Sequence, residues 1–260
     1  MTYQHILYSL QGGVARVSLN DPKTMNGVTE AMGHELVDAL DRAAYEARAV
    51  LITGEGKGFC SGANLAAAQD MLADPRRDVG GQLDRAFNPV QLAIKRMEQP
   101  VVTAIRGAAA GYGAGLAAAG DIVLMSENAF FFCAFAHVGL VPDGGATWLL
   151  AKAVGRVRAM RMMLLGEKIG AQTALEWGLA TKVVPDERLD EEAMTLAKQL
   201  ANGPRSIGMI KRMAWDALDC DYETALNAER RGQRDAGRTE DFLEGVNAFV
   251  EKRKPRFQGR

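Results

Sequence analysis

One carboxylate in the sequence stands apart from the rest. In "GLVPDGGATW", residues 139–148, Asp143 lies between an apolar run and a glycine pair. Upstream, "ENAFFFCAFAHV" holds four phenylalanines and no acid after Glu127. Two chemistries suit an acid in that setting. As a turn residue it would be solvated, or would cap the helix whose pattern begins near Ala146 by accepting backbone N–H groups. Against apolar surface, with Phe131, Phe135, Leu140 and Val141 as neighbours, its charge would be disfavoured and its pKa raised. A carboxyl group in that state can take and return a proton near neutral pH. His137, two residues before Gly139, is a candidate second acid–base, with a packed structural role as the alternative.

Two glycine-bearing segments offer a different chemistry. "GEGKGFCSGANL" (54–65) and "GAAAGYGAGLAAAGD" (107–121) each follow a strand-like run. Neither is a GxxxxGK[ST] loop or a GxGxxG turn in its nucleotide-binding setting. Both present bare main-chain N–H groups at a loop or helix start, which bind anionic oxygen. Two such groups converging on one point form an oxyanion hole. Close packing is the other use of the same glycines.

Composition bounds what else is expected. The 260 residues carry a formal net charge of -1, which argues against a dedicated nucleic-acid binder. Cys60, Cys133 and Cys220 form no CxxC pair, and no HExxH or carboxylate cluster announces a metal, so none is expected. A reducing cytoplasm is the expected compartment. The N-terminus lacks the basic start and apolar run of a signal peptide, and no stretch is apolar and long enough to span a membrane. The tail "EKRKPRFQGR" gathers five cations in ten residues, which reads as a solvated terminus or an anion site.

The elements that must position these residues follow from pattern. "YQHILYSLQGGVARVSLND" predicts a hairpin around Gly12-Gly13. "TEAMGHELVDALDRAAYE" predicts a helix with Met32, Leu36, Leu40 and Ala43 on one face. "AVLITGEG", "VVTAIRG", "DIVLMSE" and "AFFFCAF" read as buried strands separated by helices, hence α/β sheets with covered faces. From about residue 186 amphipathic helices follow one another, with Asp186 or Asp190, Pro204, Asp221 and Thr239 as start signals.

The motifs in this order resemble the crotonase (enoyl-CoA hydratase/isomerase) superfamily. "GEGKGFCSGANL", "QPVVTAIRGAAAGYGAGLAAAGDIVL", the run from "GLVPDGGATWLL" to "GLATKVV", and the closing "EGVNAFVEKRKPRF" carry the likeness, from about residue 5 onward. "FNPV", "VGRVRAM" and "GRTEDFLEGVNAF" look most like the ring isomerases of phenylacetate breakdown, the 1,2-epoxyphenylacetyl-CoA isomerases. The resemblance implies an α/β spiral of ββα units over 1–195. Helices at 196–260 would pack on the core and build a homotrimer or a dimer of trimers. It implies an acyl-CoA thioester substrate with no separate cofactor, coenzyme A being part of that substrate.

By motif position, the N–H groups of Ala63 and Tyr112 would hold the thioester oxygen, and Asp143 would be the acid–base. Ser61, Asn64, Leu65 and Phe135 would line the substrate site. Phe249 and Lys252 would meet the coenzyme A of a neighbouring subunit. The bulk of Tyr112, where a small residue is usual, would narrow or redirect the acyl pocket, and residues 66–90 would shape it. The two glutamates of family hydratases fall at Gly115 and Phe135, which disfavours hydration and leaves isomerisation through a thioester enolate. Another enolate-forming reaction, or a non-catalytic acyl-CoA binder, are the alternatives.

Overall fold

The structure, a computed structural model, describes residues 2–68 and 73–260, so residues 69–72 of the segment expected to shape the pocket lie outside the described residues. The N-terminal hairpin forms as read: β1 (Ile6–Gln11) and β2 (Val14–Leu19) pair antiparallel across Gly12-Gly13. β2 then runs parallel to β3 (Ala49–Gly54), and the sheet continues through β4 (Val101–Ile105). It ends with β6 (Ile122–Ser126) and β9 (Lys182–Val184). β3 and β4 are buried along their whole length, as uniformly apolar strands covered on both faces must be.

A second, smaller sheet grows from the same chain. β5 (Ala108–Ala110), β7 (Phe130–Phe132) and β8 (Lys168–Gly170) form it, and Cys60 joins β5 through a bridge to Ala109. The chain therefore gives one strand to the large sheet, a short one to the small sheet, and then a helix. β4, β5 and α3 (Tyr112–Ala118) are the clearest such unit. This is the ββα repeat expected of the crotonase fold.

α1 (Glu30–Glu46) buries Met32, Leu36, Ala39, Leu40 and Ala43 against the sheet, the spacing of one helical face. Thr29 caps it by accepting the Met32 N–H at 3.2 Å. α2 (Asn88–Arg96) packs on α1 and leads into β4. After β7 come α4 (Ala146–Val154), α5 (Arg156–Leu165) and α6 (Ala171–Glu176). α7 (Leu189–Ala201) runs unbroken through residue 195, where a division was expected. Its buried Leu189, Ala193, Ala197 and Ala201 cover the large sheet face opposite α1. No helix among the described residues is long and apolar enough to cross a membrane.

Three further helices complete the chain: α8 (Ser206–Ala217), α9 (Tyr222–Ala236) and α10 (Glu240–Val250). Asp221 and Thr239 cap α9 and α10 with their side chains, as their start signals predict. Buried Lys211 fastens α8 to the core, donating to Asp121 at 2.9 Å and to the Gln99 carbonyl at 2.9 Å. α10 leaves Phe242, Leu243, Val246, Phe249 and Val250 exposed on the single chain.

The cationic tail is tied down rather than loose. Buried Asp241 accepts main-chain N–H groups from Arg205 (2.9 Å), Gln258 (2.6 Å) and Gly259 (2.8 Å). Burial would raise the pKa of that carboxyl, but these donors outweigh it and hold it below the ordinary range. Arg253 pairs with Glu244 and Glu251, and Arg260 with Glu240. Lys252 makes no ion pair among the described residues.

Asp241→Ala is expected to cost about 3 kcal/mol by removing these charge-assisted bonds. Hydrogen exchange should then rise over residues 240–260 while the α1 amides keep their protection. Because the native carboxyl is the more acidic one, the clasp is complete at neutral pH. It weakens as pH falls through the depressed folded-state pKa.

Candidate active site

The two glycine loops meet. Cys60 adds to the small sheet, its N–H on the Ala108 carbonyl and its carbonyl taking the Ala110 N–H, both at 2.9 Å. Two residues later the chain pairs with Val28: Val28 N–H to Gly62 O at 2.8 Å, Asn64 N–H to Val28 O at 2.9 Å. In such a parallel pairing the intervening residue turns its own N–H the other way. The Ala63 N–H consequently has no acceptor among the described residues. Gly62 has φ +107°, and a Cβ there would lie 3.1 Å from Ala110 O and 3.6 Å from Tyr112 N. Only glycine allows the loops to come this close.

Tyr112 opens α3, so its N–H has no carbonyl one turn earlier within the helix. It also has no acceptor among the described residues. The preceding residue is fixed by the Gly111 N–H on Phe132 O at 2.9 Å. Two main-chain donors on touching loops are thus left for an anionic oxygen. The tyrosine side chain turns away under α2, where its hydroxyl donates to Phe87 O at 3.1 Å. Its ring packs against Phe87 at 4.7 Å between centroids. Burial strongly disfavours its ionisation.

Asp143 does not cap α4. The cap residue is Gly145, with no side-chain bond, and Asp143 offers only its main-chain oxygen, to Ala146 N–H at 3.0 Å. Its Oδ1 is buried without a hydrogen-bond partner. Burial pushes the carboxyl from 3.8 up to about 6. Of the apolar neighbours expected to do this, Phe131 and Phe135 are buried, but Leu140 and Val141 point outward, 40% and 81% exposed. α3 supplies the remaining wall. A Cβ on Gly115 would sit 2.3 Å from Gly144 O, and one on Gly144 would sit 2.9 Å from the Tyr112 ring. The Asp143 turn therefore occupies the space into which a larger residue 115 would project.

The other expected residues separate into near and distant groups. Ser61 is near: its N–H meets Met25 O at 2.9 Å and its hydroxyl Thr24 O at 2.8 Å. Asn64 is half-buried beside Gly27, and Leu65 is 44% exposed at the start of a 3-10 turn. Phe135 is buried in the turn before Gly139. His137 sets Nε2 against Gly166 O at 3.3 Å and its ring against Phe132, a packing role. Cys60 is buried, its thiol pushed up to about 12 by desolvation. Phe249 lies in a groove with Pro204, Ala236 and Phe257, and Lys252 follows just beyond α10. In the single chain these two stand apart from the loops.

Asn26 is the positioning residue that the motifs did not reveal. It is buried at φ +58°. Its amide nitrogen donates to Glu55 O (2.9 Å) and Gly58 O (2.8 Å), and its oxygen accepts from the Asp21 N–H at 2.9 Å. Asparagine tolerates the left-handed region, and "MNG" in a polar turn was the one local hint. Asn26→Ala is expected to lose about 2–3 kcal/mol, from strain plus orphaned carbonyls. It should also lower turnover. Urea unfolding beside a rate measurement checks both.

The architecture is that of the crotonases, with paired loop donors beside a single buried carboxyl group. The sequence profile described as enoyl-CoA hydratase/isomerase matches residues 9–260. The chain belongs to that enzyme family. It is 40% identical to 1,2-epoxyphenylacetyl-CoA isomerase of Escherichia coli K12 over 99% of each chain. Trans-2-decenoyl-[acyl-carrier-protein] isomerase of Streptococcus mutans is 34% identical over the full length of both. A crystal structure of enoyl-CoA hydratase from Bacillus anthracis superposes with a TM-score of 0.93 at 29% identity, covering 99% of this chain and 100% of that one.

Proposed function

We propose that the protein is an acyl-CoA isomerase whose acid–base is Asp143, shifting a double bond or rearranging a ring-derived acyl group. One observation carries this: the only buried carboxylate oxygen without a hydrogen-bond partner among the described residues is on Asp143, and Gly144 closes the α3 position at Gly115 where a second acid would stand. Adding water across a double bond needs a positioned water and two proton transfers, a task suited to two acids. Moving a double bond needs one. The carboxylate removes a proton from the carbon beside the thioester, and the electron pair moves onto the thioester oxygen. The Ala63 and Tyr112 N–H groups hold that negative charge, and the same proton returns two carbons further along. The pathway needs no cofactor beyond the coenzyme A of the substrate.

Phe249 and Lys252 would complete the site from a neighbouring subunit, with the exposed face of α10 as the trimer contact. Lys252 has no carboxylate partner among the described residues, so its charge is available to a nucleotide phosphate. Lys252→Ala is expected to raise KM for acyl-CoA several-fold at unchanged kcat, read from steady-state kinetics across ionic strength. The whole reading is tested by giving the enzyme a 3-enoyl-CoA and, separately, a 2-enoyl-CoA. Conversion of the first to the conjugated thioester, with no hydration of the second, supports it. Efficient hydration sinks it.

A further inference from the structure

Tyr112 is flanked by buried polar atoms that have no hydrogen-bond partner among the described residues. Oδ1 of Asp143 is one; both amide atoms of Gln91 are two more. Phe87 and Gln91 lie one helical turn apart, on one face at the start of α2. The Phe87 carbonyl takes the Tyr112 hydroxyl proton at 3.1 Å. The Gln91 amide comes alongside the same hydroxyl, close enough to bias its ionisation, yet leaves its own donors and acceptor unpaired. At the other end of the ring, the Tyr112 edge abuts Gly144, next to Asp143. The tyrosine thus spans from the proton carrier to an amide shut off from solvent.

An unpaired buried amide is costly, and folded proteins seldom keep one without a use. A site that holds such a group discriminates sharply, because a ligand that fails to pair it leaves the penalty in place. Resting on the acyl-CoA isomerase reading above, we infer that Gln91 is a specificity-determining residue whose amide hydrogen-bonds an oxygen on the acyl group beyond the thioester. Nε2 donates to a hydroxyl, carbonyl or cyclic-ether oxygen, and Oε1 accepts where that oxygen carries a proton. A hydrocarbon chain of equal length offers neither. Tyr112 contributes by closing the ring side of this corner and by having its own hydroxyl proton committed to Phe87.

Saturated thioesters test this without turnover, so a failed isomerase reading leaves the result interpretable. Hexanoyl-CoA and its 4-, 5- and 6-hydroxy derivatives are titrated calorimetrically into wild type, Gln91→Leu and Gln91→Met, with melting curves alongside. Wild type is expected to bind at least one hydroxy derivative tenfold or more tightly than hexanoyl-CoA. Both variants should lose that preference, hold or improve hexanoyl-CoA binding, and melt no lower than wild type. Asp143→Asn should keep the preference, which separates recognition from proton transfer. The inference is overturned if wild type shows no preference, or if both variants weaken all four thioesters equally. It is also overturned if both variants melt far below wild type, since the amide would then be a structural contact.

Discussion

Asp143→Asn is expected to lower kcat for double-bond migration by about 10²–10⁴ while acyl-CoA affinity stays within a few-fold. The amide keeps the shape of the carboxyl group and cannot accept the proton. With the carboxyl pushed up to about 6 by burial, the wild-type kcat/KM should rise with pH and level off above that value. The variant should lack this ascending limb. Stopped assays following conjugated thioester absorbance from pH 5 to 8 read both. An ordinary rate in the variant would remove Asp143 from the chemistry and leave the loops as a binding site alone.

The same substitution carries a stability signature of opposite sign. A carboxyl whose folded pKa is raised binds protons more tightly in the native state. Its contribution is therefore complete below the unfolded pKa near 3.9 and is lost as pH rises through about 6. Between those limits the wild type should lose up to about 3 kcal/mol relative to Asp143→Asn. Chemical denaturation at pH 3.5 and 7.5 should find the two proteins similar in acid and the variant more stable at neutral pH. A variant that is less stable at both would mean that Asp143 has a native partner and is not the desolvated base described above.

Gly115→Glu carries the second large effect. The change would restore the acid that family hydratases hold at this position. The expected result is loss of isomerase activity without any gain of hydration. Its Cβ would lie 2.3 Å from Gly144 O and 2.8 Å from Gly144 C, a clash with main chain that no rotamer relieves. Overpacking of this kind costs about 1–3 kcal/mol or more. Relief requires the turn to move, and Asp143 moves with it. A thermal melt and paired hydration and isomerisation assays decide the matter: a stable, hydrating variant would mean that the turn yields easily.

Much of this arrangement was legible because it depends on short-range chemistry. Gly12-Gly13 forms the hairpin, Thr239 and Asp221 cap their helices, and the α1 stripe is buried as its spacing requires. Motif order also picked out the two loops that meet at Gly62 and the carboxyl group whose Oδ1 is buried, at Asp143. What escaped depends on partners distant in the chain. Asn26 acts on carbonyls 29 and 32 residues away, so nothing beside it announces the role. Leu140 and Val141 are apolar and adjacent to Asp143, yet face outward, because nearness in sequence to a buried acid does not determine which way a turn presents its side chains. The expected division at residue 195 falls inside α7, since the large sheet needs a helix on its second face and α7 is the one that supplies it. Gln91 reads as one more polar residue on an amphipathic helix. Its importance lies in a missing partner, which no sequence pattern records.

The donors proposed for the anionic oxygen are peptide groups, at Ala63 and Tyr112, and this would make them silent to ordinary side-chain scanning. Alanine at Tyr112 would delete a ring and leave the N–H in place, and Ala63 is alanine already. On this reading a mutational survey of the chain would rank Asp143 and Asn26 highly and miss the pair proposed to stabilise the charge. Amide-to-ester replacement at either position, by semisynthesis or codon suppression with a hydroxy acid, deletes one donor and nothing else.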